Sequence, residues 1–331
     1  MKKILSFAAL AAMLCVAACQ KDGGYKVTGT VTGAEDGDTV VLAEVRSMFE
    51  IDTLQTVFVK GGKFVFEGTQ DTAAIRYVIW KSNNNPELLV AAQFALENGD
   101  ITIKLDTAQN TVAELSGTPA NEALTALAKQ ERELNTQAQG LFEVMNDTAV
   151  TDEAKADAEQ KMNALQEQMT SIYKEFIAAN ITNIAGQSYL VNYAGMLGDE
   201  FVTEQIAAVP EDCPYDDMKA LREMYEVKAA TAVGQRYKDI KANTPEGAEL
   251  AVSEVAAGAK VLMIDFWASW CGPCRAEMPH VKAAYDKFHA QGFDIIGVSL
   301  DQENFVAAIT GESDAIKAVD ERTTKKVLTS T

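Results

Sequence analysis

The chain has 331 residues, of which 47% are hydrophobic and 23% charged, so it has the composition of a globular protein and the length of two or three domains. Its formal net charge of −19 argues against a nucleic-acid partner, because no basic stripe is present to displace phosphate counterions. Five cysteines in a chain of this length are too few for a disulfide-stapled scaffold, so each cysteine is interpreted separately.

The N-terminus has the pattern of a bacterial lipoprotein signal peptide. Lys2 and Lys3 precede an almost wholly apolar run over residues 4–18, which is short for a membrane span. The run ends in Val-Ala-Ala before Cys19, and small residues before a cysteine resemble the bacterial lipobox. We therefore expect residues 1–18 to be cleaved and Cys19 to be lipidated. The alternative is an ordinary secreted protein cut near Ala18.

Acyl chains on Cys19 would anchor the protein to a membrane outside the cytosol, where disulfides persist. Residues 19–24 are then a lipidated linker. Gln20, Lys21 and Asp22 weakly resemble the signal that sends some lipoproteins to the cell surface. We favour an envelope location facing the periplasm, with the cell surface as the alternative.

Residues 25–117 have the pattern of a β domain of unknown role. Segments rich in β-branched and aromatic residues occupy positions 25–32, 39–45, 54–60, 64–68, 74–81 and 101–105. Turn residues such as Gly61-Gly62 separate them. Short strands at this spacing predict an antiparallel β-sandwich or a small barrel.

The period changes at Thr118, a predicted helix N-cap, with Pro119 at the first helical position. Apolar residues then recur at spacings of three and four: Met162, Leu165, Met169, Ile172, Tyr173 and Phe176. We interpret this stripe as a core face rather than a ligand groove. Helical patterning returns over 215–231, so we predict a helical region at residues 119–232. Cys213 lies in a turn-like segment with acidic neighbours and is predicted to be an inert thiol.

Residues 261–267 form an apolar run of strand length, interrupted only by Asp265, which is typical of a strand buried on both faces. Trp270, Cys271, Gly272, Pro273 and Cys274 follow, and the pattern is helical from Gly272 to about Ala290. A strand followed by a helix places Cys271 at a helix N-terminus, where free amide groups and the helix dipole favour a thiolate. The thiolate is the form that attacks a disulfide.

The two-residue spacing lets both sulfurs meet without large backbone movement. We therefore predict Cys271 as the exposed nucleophile and Cys274, one turn into the helix, as the buried resolving thiol. Pro273 lacks an N–H group and stiffens the turn between them. The redox group is then the Cys271–Cys274 disulfide itself, with no organic cofactor and no metal.

The stretch Asp-Phe-Trp-Ala-Ser-Trp-Cys-Gly-Pro-Cys-Arg over residues 265–275 resembles the active site of thioredoxins. Its continuation to Pro279 is similar to the membrane-tethered TlpA/ResA branch of thioredoxin-like reductases. The similarity extends from 234 to 301. The resemblance implies a C-terminal thioredoxin-like α/β domain over 234–331, and hence a multidomain α+β chain.

The resemblance also implies residue roles. Asp265 matches a buried aspartate that accepts the proton of the resolving thiol, and an apolar strand is expected to raise its pKa. Glu277 matches a glutamate near the cysteines, although it is equally compatible with a solvated helix residue. Pro279 matches a proline that kinks the active-site helix.

Two other chemistries fit the cysteine pair less well. A zinc half-site needs two further ligands, and the histidines, His280 and His289, lie on one predicted helix nine residues apart and point to opposite sides. A peroxidase of the peroxiredoxin type needs a different local pattern around one lone thiolate.

The pattern departs from thioredoxins after residue 301. No proline follows Pro279, so the loop with a cis-proline and the usual closing strands are expected to be missing or replaced, and the domain incomplete. At most one or two helices and a short strand are predicted after residue 302. Such a sheet would have an open edge, which tends to pair with other chains.

The sequence thus predicts a lipid-anchored thiol–disulfide oxidoreductase. Its expected partners are substrate proteins with disulfides, a membrane thiol donor that supplies electrons, and the membrane itself through Cys19. The alternative is a non-enzymatic envelope or surface binding lipoprotein with a degenerate redox domain.

Overall fold

The computed structural model describes residues 23–47, 50–108, 111–244, 247–301 and 327–329. The predicted signal peptide, Cys19 and nearly all of the predicted linker therefore lie outside the described residues. The chain divides into two compact units between Val227 and Lys228, slightly before the change predicted near residue 232. Each unit is described by itself.

Two four-stranded sheets form the β part of the N-terminal unit, with strand orders β4-β1-β7-β8 and β3-β2-β5-β6. The strands are β1 Tyr25–Thr32, β2 Thr39–Ser47, β3 Glu50–Phe58, β4 Lys63–Gly68, β5 Ala74–Lys81, β6 Leu89–Leu96, β7 Gly99–Asp106 and β8 Glu114–Ser116. The sequence predictions did not include β6 and β8. All of the described pairings are antiparallel except β1 with β7.

The parallel pairing of β1 with β7 has a topological cause. The chain leaves the first sheet after β1, builds β2 and β3, returns for β4, and crosses again to build β5 and β6 before β7 joins β1. Parallel neighbours need such long crossover connections. Inward residues of both sheets share one core, for example Val27, Phe66 and Ile101 from one sheet with Leu42 and Trp80 from the other. The predicted β-sandwich is confirmed.

Five helices follow the strands in the described part of the N-terminal unit, namely α1 Pro119–Asn146, α2 Asp152–Asn180, α3 Ile184–Leu197, α4 Asp199–Ala208 and α5 Asp216–Ala230, the end of which extends past the boundary at Val227. Thr118 caps α1 by accepting a hydrogen bond from the Asn121 amide, as predicted. Tyr173 and Phe176 of α2 are buried in the same core as the sandwich, with Met169 and Ile172 packed against it. The stripe on α2 is therefore a core face, and helices and sandwich share one hydrophobic core.

Helix α1 is also joined to both sheets by polar side chains. The buried amide of Asn121 accepts a hydrogen bond from Ala95 N at 3.0 Å and donates to Ala95 O at 2.8 Å. The hydroxyl of Thr125 accepts from Leu115 N at 2.7 Å and donates to Leu115 O at 2.9 Å. Asn121 and Thr125 are four residues apart and share a face of the helix, so one helix turn contacts β6 of one sheet and β8 of the other.

The C-terminal unit is built on one mixed sheet with the order β10-β9-β13-β12-β11. Its described elements are β9 Lys241–Asn243, β10 Glu249–Ala251, α6 Val252–Ala256, β11 Val261–Trp267, α7 Gly272–Phe288, a 3-10 helix His289–Gln291, β12 Phe293–Ser299 and β13 Val327–Thr329. Strands β11, β12 and β13 are parallel, and α7 connects the first two. Its small core contains Val252, Ile296 and Val298. This strand–helix–strand arrangement is the predicted thioredoxin-like α/β fold.

Strand β11 differs from its prediction. Within the part of the chain that the structure describes, β11 pairs only with β12 and lies at the end of the sheet. Val261 and Phe266 are exposed and the other residues of the strand are half-buried, so the prediction of a strand buried on both faces is wrong. The apolar run reflects one covered face and one neighbouring strand. The predictions for residues 302–326 lie outside the described residues.

Candidate active site

The candidate site lies where β11 ends and α7 begins. Cys271 and Cys274 form a disulfide, with their Cα atoms 5.3 Å apart. Cys271 is the N-cap of α7, and its Sγ accepts a hydrogen bond from the Cys274 amide at 3.2 Å. An N-cap position supplies free amide groups and the positive end of the helix dipole, which together stabilise a thiolate.

The two cysteines are similarly accessible. Trp270 is 68% exposed, Gly272 and Pro273 are exposed, and both Cys271 and Cys274 are half-buried. The expectation of an exposed Cys271 and a buried Cys274 is therefore not met in this disulfide form. The disulfide draws the second sulfur to the first at the exposed start of the helix, so both lie at a similar depth.

Two carboxylates accompany the cysteines, one on each neighbouring element. Asp265 is half-buried in the middle of β11, and Glu277 is exposed on α7. Burial, followed by the negative charge of Glu277, raises the pKa of Asp265 above the ordinary aspartate range. A carboxyl group with a raised pKa is a stronger base than an ordinary aspartate, which suits it to accept a proton from a thiol.

Two prolines shape the helix that carries the cysteines. Pro273 lies in the first turn, where its missing N–H group leaves no helical hydrogen bond unmade. Pro279 lies inside α7, where proline removes an internal hydrogen bond of the helix. Both positions agree with roles in the shape of the site.

A buried polar cluster beside the site was missed by the sequence interpretation. The Asp301 carboxylate accepts hydrogen bonds from Ser269 N at 3.0 and 3.1 Å and from Ser269 Oγ at 2.7 Å. Ser299 Oγ donates to the same carboxylate at 2.9 Å. Strand register was the available signal: Trp267 pairs with Ser299 in parallel strands, so the residues two further on, Ser269 and Asp301, emerge together.

The remaining candidate residues lie apart from this cluster. Cys213 is buried in the N-terminal unit, and its thiol donates to Gln187 Oε1 at 3.4 Å, as suits an inert thiol. His280 is exposed, whereas His289 stacks on Tyr285. Among the described residues, no group of three or more His, Cys, Asp or Glu side chains could hold a metal ion. None of the described helices is both long and apolar enough to cross a membrane.

The N-terminal unit has a cavity of its own, of about 620 Å³. It lies between the second sheet, helix α3 and the segment before α5. Its polar lining includes Arg76, Tyr77, Gln93, Ser188, Asn192 and Tyr215. A cavity of this volume is within the range of small-molecule sites.

Comparisons with known proteins agree with the division of the chain. Residues 233–322 match the AhpC/TSA family, and residues 25–124 match the family described as Domain of unknown function (DUF4369). Over 47 residues, the chain is 45% identical to Thiol-disulfide oxidoreductase ResA of Oceanobacillus iheyensis, covering 14% of this chain and 24% of that protein. It is 33% identical over 73 residues to ResA of Geobacillus thermodenitrificans, covering 22% and 41% respectively.

The chain therefore spans less than half the length of either of these curated relatives. Among solved structures, it is similar to the thioredoxin domain of a thiol-disulfide oxidoreductase from Bacteroides vulgatus. That similarity has 26% identity and a TM-score of 0.24, and it covers 30% of this chain and 65% of that chain.

The parallel β11–α7–β12 unit, with a CxxC disulfide at the start of its helix, defines the C-terminal unit as a thioredoxin-like domain. Within that class, its active-site stretch is similar to that of proteins named Thiol-disulfide oxidoreductase ResA. The resemblance drawn from the sequence is thereby confirmed for this domain.

Proposed function

We propose that the protein is a thiol–disulfide oxidoreductase that exchanges a Cys271/Cys274 dithiol with disulfides of substrate proteins. One observation carries the proposal: the two cysteines form a disulfide at the N-terminus of α7, within reach of solvent. The similarity to enzymes named thiol-disulfide oxidoreductase supports it.

The reaction is a pair of thiol–disulfide exchanges. In the reduced protein, the Cys271 thiolate attacks one sulfur of the substrate disulfide, which forms a mixed disulfide and releases one substrate thiolate. The Cys274 thiolate then attacks Cys271 Sγ, which closes the disulfide seen in the structure and releases the second substrate thiolate. Two electrons pass from the protein to the substrate.

Proton transfer is assigned to Asp265. Cys274 must lose its proton before it can attack, and a carboxylate whose pKa is raised accepts that proton more readily than an ordinary aspartate does. Glu277 supports this role through its charge, which helps to hold the pKa of Asp265 up. Trp270 is exposed beside Cys271 and offers an apolar surface to a docking substrate.

The cellular setting belongs to the same proposal. Lipidation of Cys19 would tether the enzyme outside the cytoplasm, facing the periplasm, and a membrane thiol donor would return two electrons to the Cys271–Cys274 disulfide. The reaction uses no organic cofactor and no metal, because the disulfide carries the electrons.

The test is reduction of an insulin disulfide by the purified protein, with dithiothreitol as electron donor. Cys271→Ser is expected to lower the rate on the order of a hundredfold or more, because the attacking sulfur is lost. In a single-turnover reaction of the pre-reduced protein with dithiothreitol removed, Cys274→Ser is expected to accumulate a mixed disulfide with insulin, since the resolving thiol is absent.

Cys213→Ser is the matched control, because that thiol is buried elsewhere, and it is expected to keep the rate of the parent. The proposal fails if Cys271→Ser is as active as the parent protein.

A second function is favoured by the cavity of the N-terminal unit. In this alternative the protein is an envelope or surface lipoprotein that binds a small polar molecule, and its redox site is degenerate. Titration of the Cys271 thiol separates the two: a thiol that titrates like free cysteine, together with no insulin reduction, favours binding.

A further inference from the structure

The carboxylate of Asp301 is the most completely bonded buried acid near the cysteines. Only 4% of the residue is exposed, and the carboxylate receives the backbone N–H and the hydroxyl of Ser269 together with the hydroxyl of Ser299. The Asp301 amide also donates to Ser299 Oγ at 3.2 Å. A buried carboxylate that accepts several hydrogen bonds is held firmly in place.

Ser269 is the middle residue of the short connection from β11 to α7. On its strand side, Leu300 N donates to Trp267 O at 2.9 Å and extends the pairing of β11 with β12. On its helix side, Cys271 N donates to Ala268 O at 3.1 Å, and Arg275 N donates to Cys271 O at 3.1 Å. The position of Ser269 therefore determines where the backbone of Cys271 meets the helix.

We propose that Asp301 is a positioning residue for Cys271: by holding Ser269, it fixes the β11–α7 connection so that the sulfur of Cys271 remains at the amide groups that begin α7. The inference deepens the proposed function and rests on it. Asp301 acts through Ser269 and takes no part in the exchange of sulfur bonds.

The two ways in which Asp301 could act, by position or by charge, predict opposite changes in the pKa of the Cys271 thiol when Asp301 is removed. A buried negative charge disfavours a nearby thiolate, so if Asp301 acted only through its charge, its removal would lower the pKa of Cys271. If Asp301 acts by position, its removal loosens the contact with the helix amides and raises that pKa. The charged groups on the neighbouring elements, Asp265 in β11 with Arg275 and Glu277 in α7, are the same in every variant.

The experiment measures the pH dependence of iodoacetamide alkylation of Cys271 in the reduced full chain, read at peptide level by mass spectrometry. Asp301→Ala is expected to move the alkylation midpoint to higher pH and to slow alkylation at pH 7 roughly threefold or more. Asp301→Asn keeps an acceptor oxygen for Ser269 and removes the charge, so its midpoint is expected to lie at or below that of the parent and not above it.

Ser299→Ala is the matched control, because Ser299 contacts the same carboxylate and lies outside the connection. Its midpoint is expected to equal that of the parent. Circular dichroism reports whether each variant is folded. If Asp301→Ala does not fold, Ser269→Ala replaces it: this variant loses the 2.7 Å bond to Asp301, keeps the backbone bond, and is expected to raise the midpoint by a smaller amount.

An unchanged or lowered midpoint in the folded Asp301→Ala protein, or in Ser269→Ala where that variant stands in for it, overturns the inference. The proposed function survives that result if the parent still reduces insulin. A parent whose Cys271 titrates like free cysteine and that leaves insulin oxidised removes the proposed function and, with it, the inference.

Discussion

Asp265 is an acidic residue on an otherwise apolar strand, and this environment disfavours its ionised form. Its half-buried side chain and the negative charge of Glu277 both disfavour the ionised form, which is why its pKa is raised. Folding is thus opposed by ionisation of this residue. The penalty is absent at low pH, where the carboxyl is protonated in both the folded and unfolded chains, and it develops as pH rises from the ordinary aspartate range through the raised pKa.

Asp265→Asn is accordingly expected to stabilise the protein at pH 8 and to change its stability little at pH 3. The same variant is expected to slow the release of the mixed disulfide, because the resolving thiol loses its proton acceptor. Thermal unfolding at the two pH values measures the first effect, and single-turnover reduction of insulin measures the second.

Asp294→Asn, in β12 of the same unit, is the comparison variant for stability. Equal shifts in melting temperature at pH 3 and pH 8 for Asp265→Asn would contradict the assignment of a raised pKa.

Residues of the candidate site differ in how visible they are in the sequence. Cys271, Cys274, Asp265 and Pro279 fall in one contiguous stretch; the spacing of the cysteines indicated the redox pair, and the resemblance to thioredoxin-like reductases implied the roles of Asp265 and Pro279. Asp301 is 32 residues from Ser269, and no motif joins the two. Only the register of two parallel strands brings them together, and that register is known only when the pairing of the strands is known.

At the scale of single elements, helix α1 is joined to β6 by the side chain of Asn121, which makes the hydrogen bonds that the backbone of a neighbouring strand would otherwise make. Asn121 is fully buried and pairs with both backbone groups of Ala95. Removing the amide leaves a buried N–H and a buried C=O unpaired, and such groups are costly.

Asn121→Ala is expected to lower the free energy of unfolding by about 2–3 kcal/mol. Urea denaturation measures it, with an unchanged slope expected because the same surface is exposed on unfolding.

Asn146→Ala is the matched control on the same helix. Asn146 is exposed and donates only to Phe142 O within its own helix, so its replacement is expected to change stability by less than about 0.5 kcal/mol. Equal effects of the two substitutions would contradict the structural role given to Asn121.

Elements with a clear periodicity of apolar residues or a recognisable N-cap could be predicted from the sequence. The burial of an element could not be predicted where it depends on the topology of the sheet. The cap at Thr118 and the apolar stripe of α2 are local signals, and both were confirmed. Strand β6 was missed because its apolar residues do not alternate regularly. The exposure of β11 could not be predicted, since a continuous apolar run does not reveal how many neighbours a strand has.

At the scale of the whole molecule, each of the two compact units has a hydrophobic core. Leu127 belongs to the large core of the N-terminal unit, and Ile296 to the small core of the C-terminal unit. A unit with its own core can unfold cooperatively by itself, so we expect two unfolding transitions. The N-terminal unit, which has the larger core, is expected to unfold last.

Leu127→Ala is expected to destabilise only the transition of the N-terminal unit, by about 2–5 kcal/mol, and Ile296→Ala only that of the C-terminal unit. Replacing Trp267 and Trp270 by Phe leaves Trp80, in the N-terminal core, as the remaining tryptophan, so its fluorescence follows that unit. A single transition shifted by both substitutions would contradict independent unfolding.

The two polar side chains on the first turns of α1 have a consequence for self-association. Among the strands that the structure describes, β6 and β8 are each the last strand of a sheet, and an uncovered last strand is a template on which another polypeptide can add a strand. At Ala95 and Leu115, the outward main-chain groups are already occupied by Asn121 and Thr125. A single helix thus occupies these hydrogen-bonding groups at one residue of each strand, which opposes strand addition at that point of each sheet.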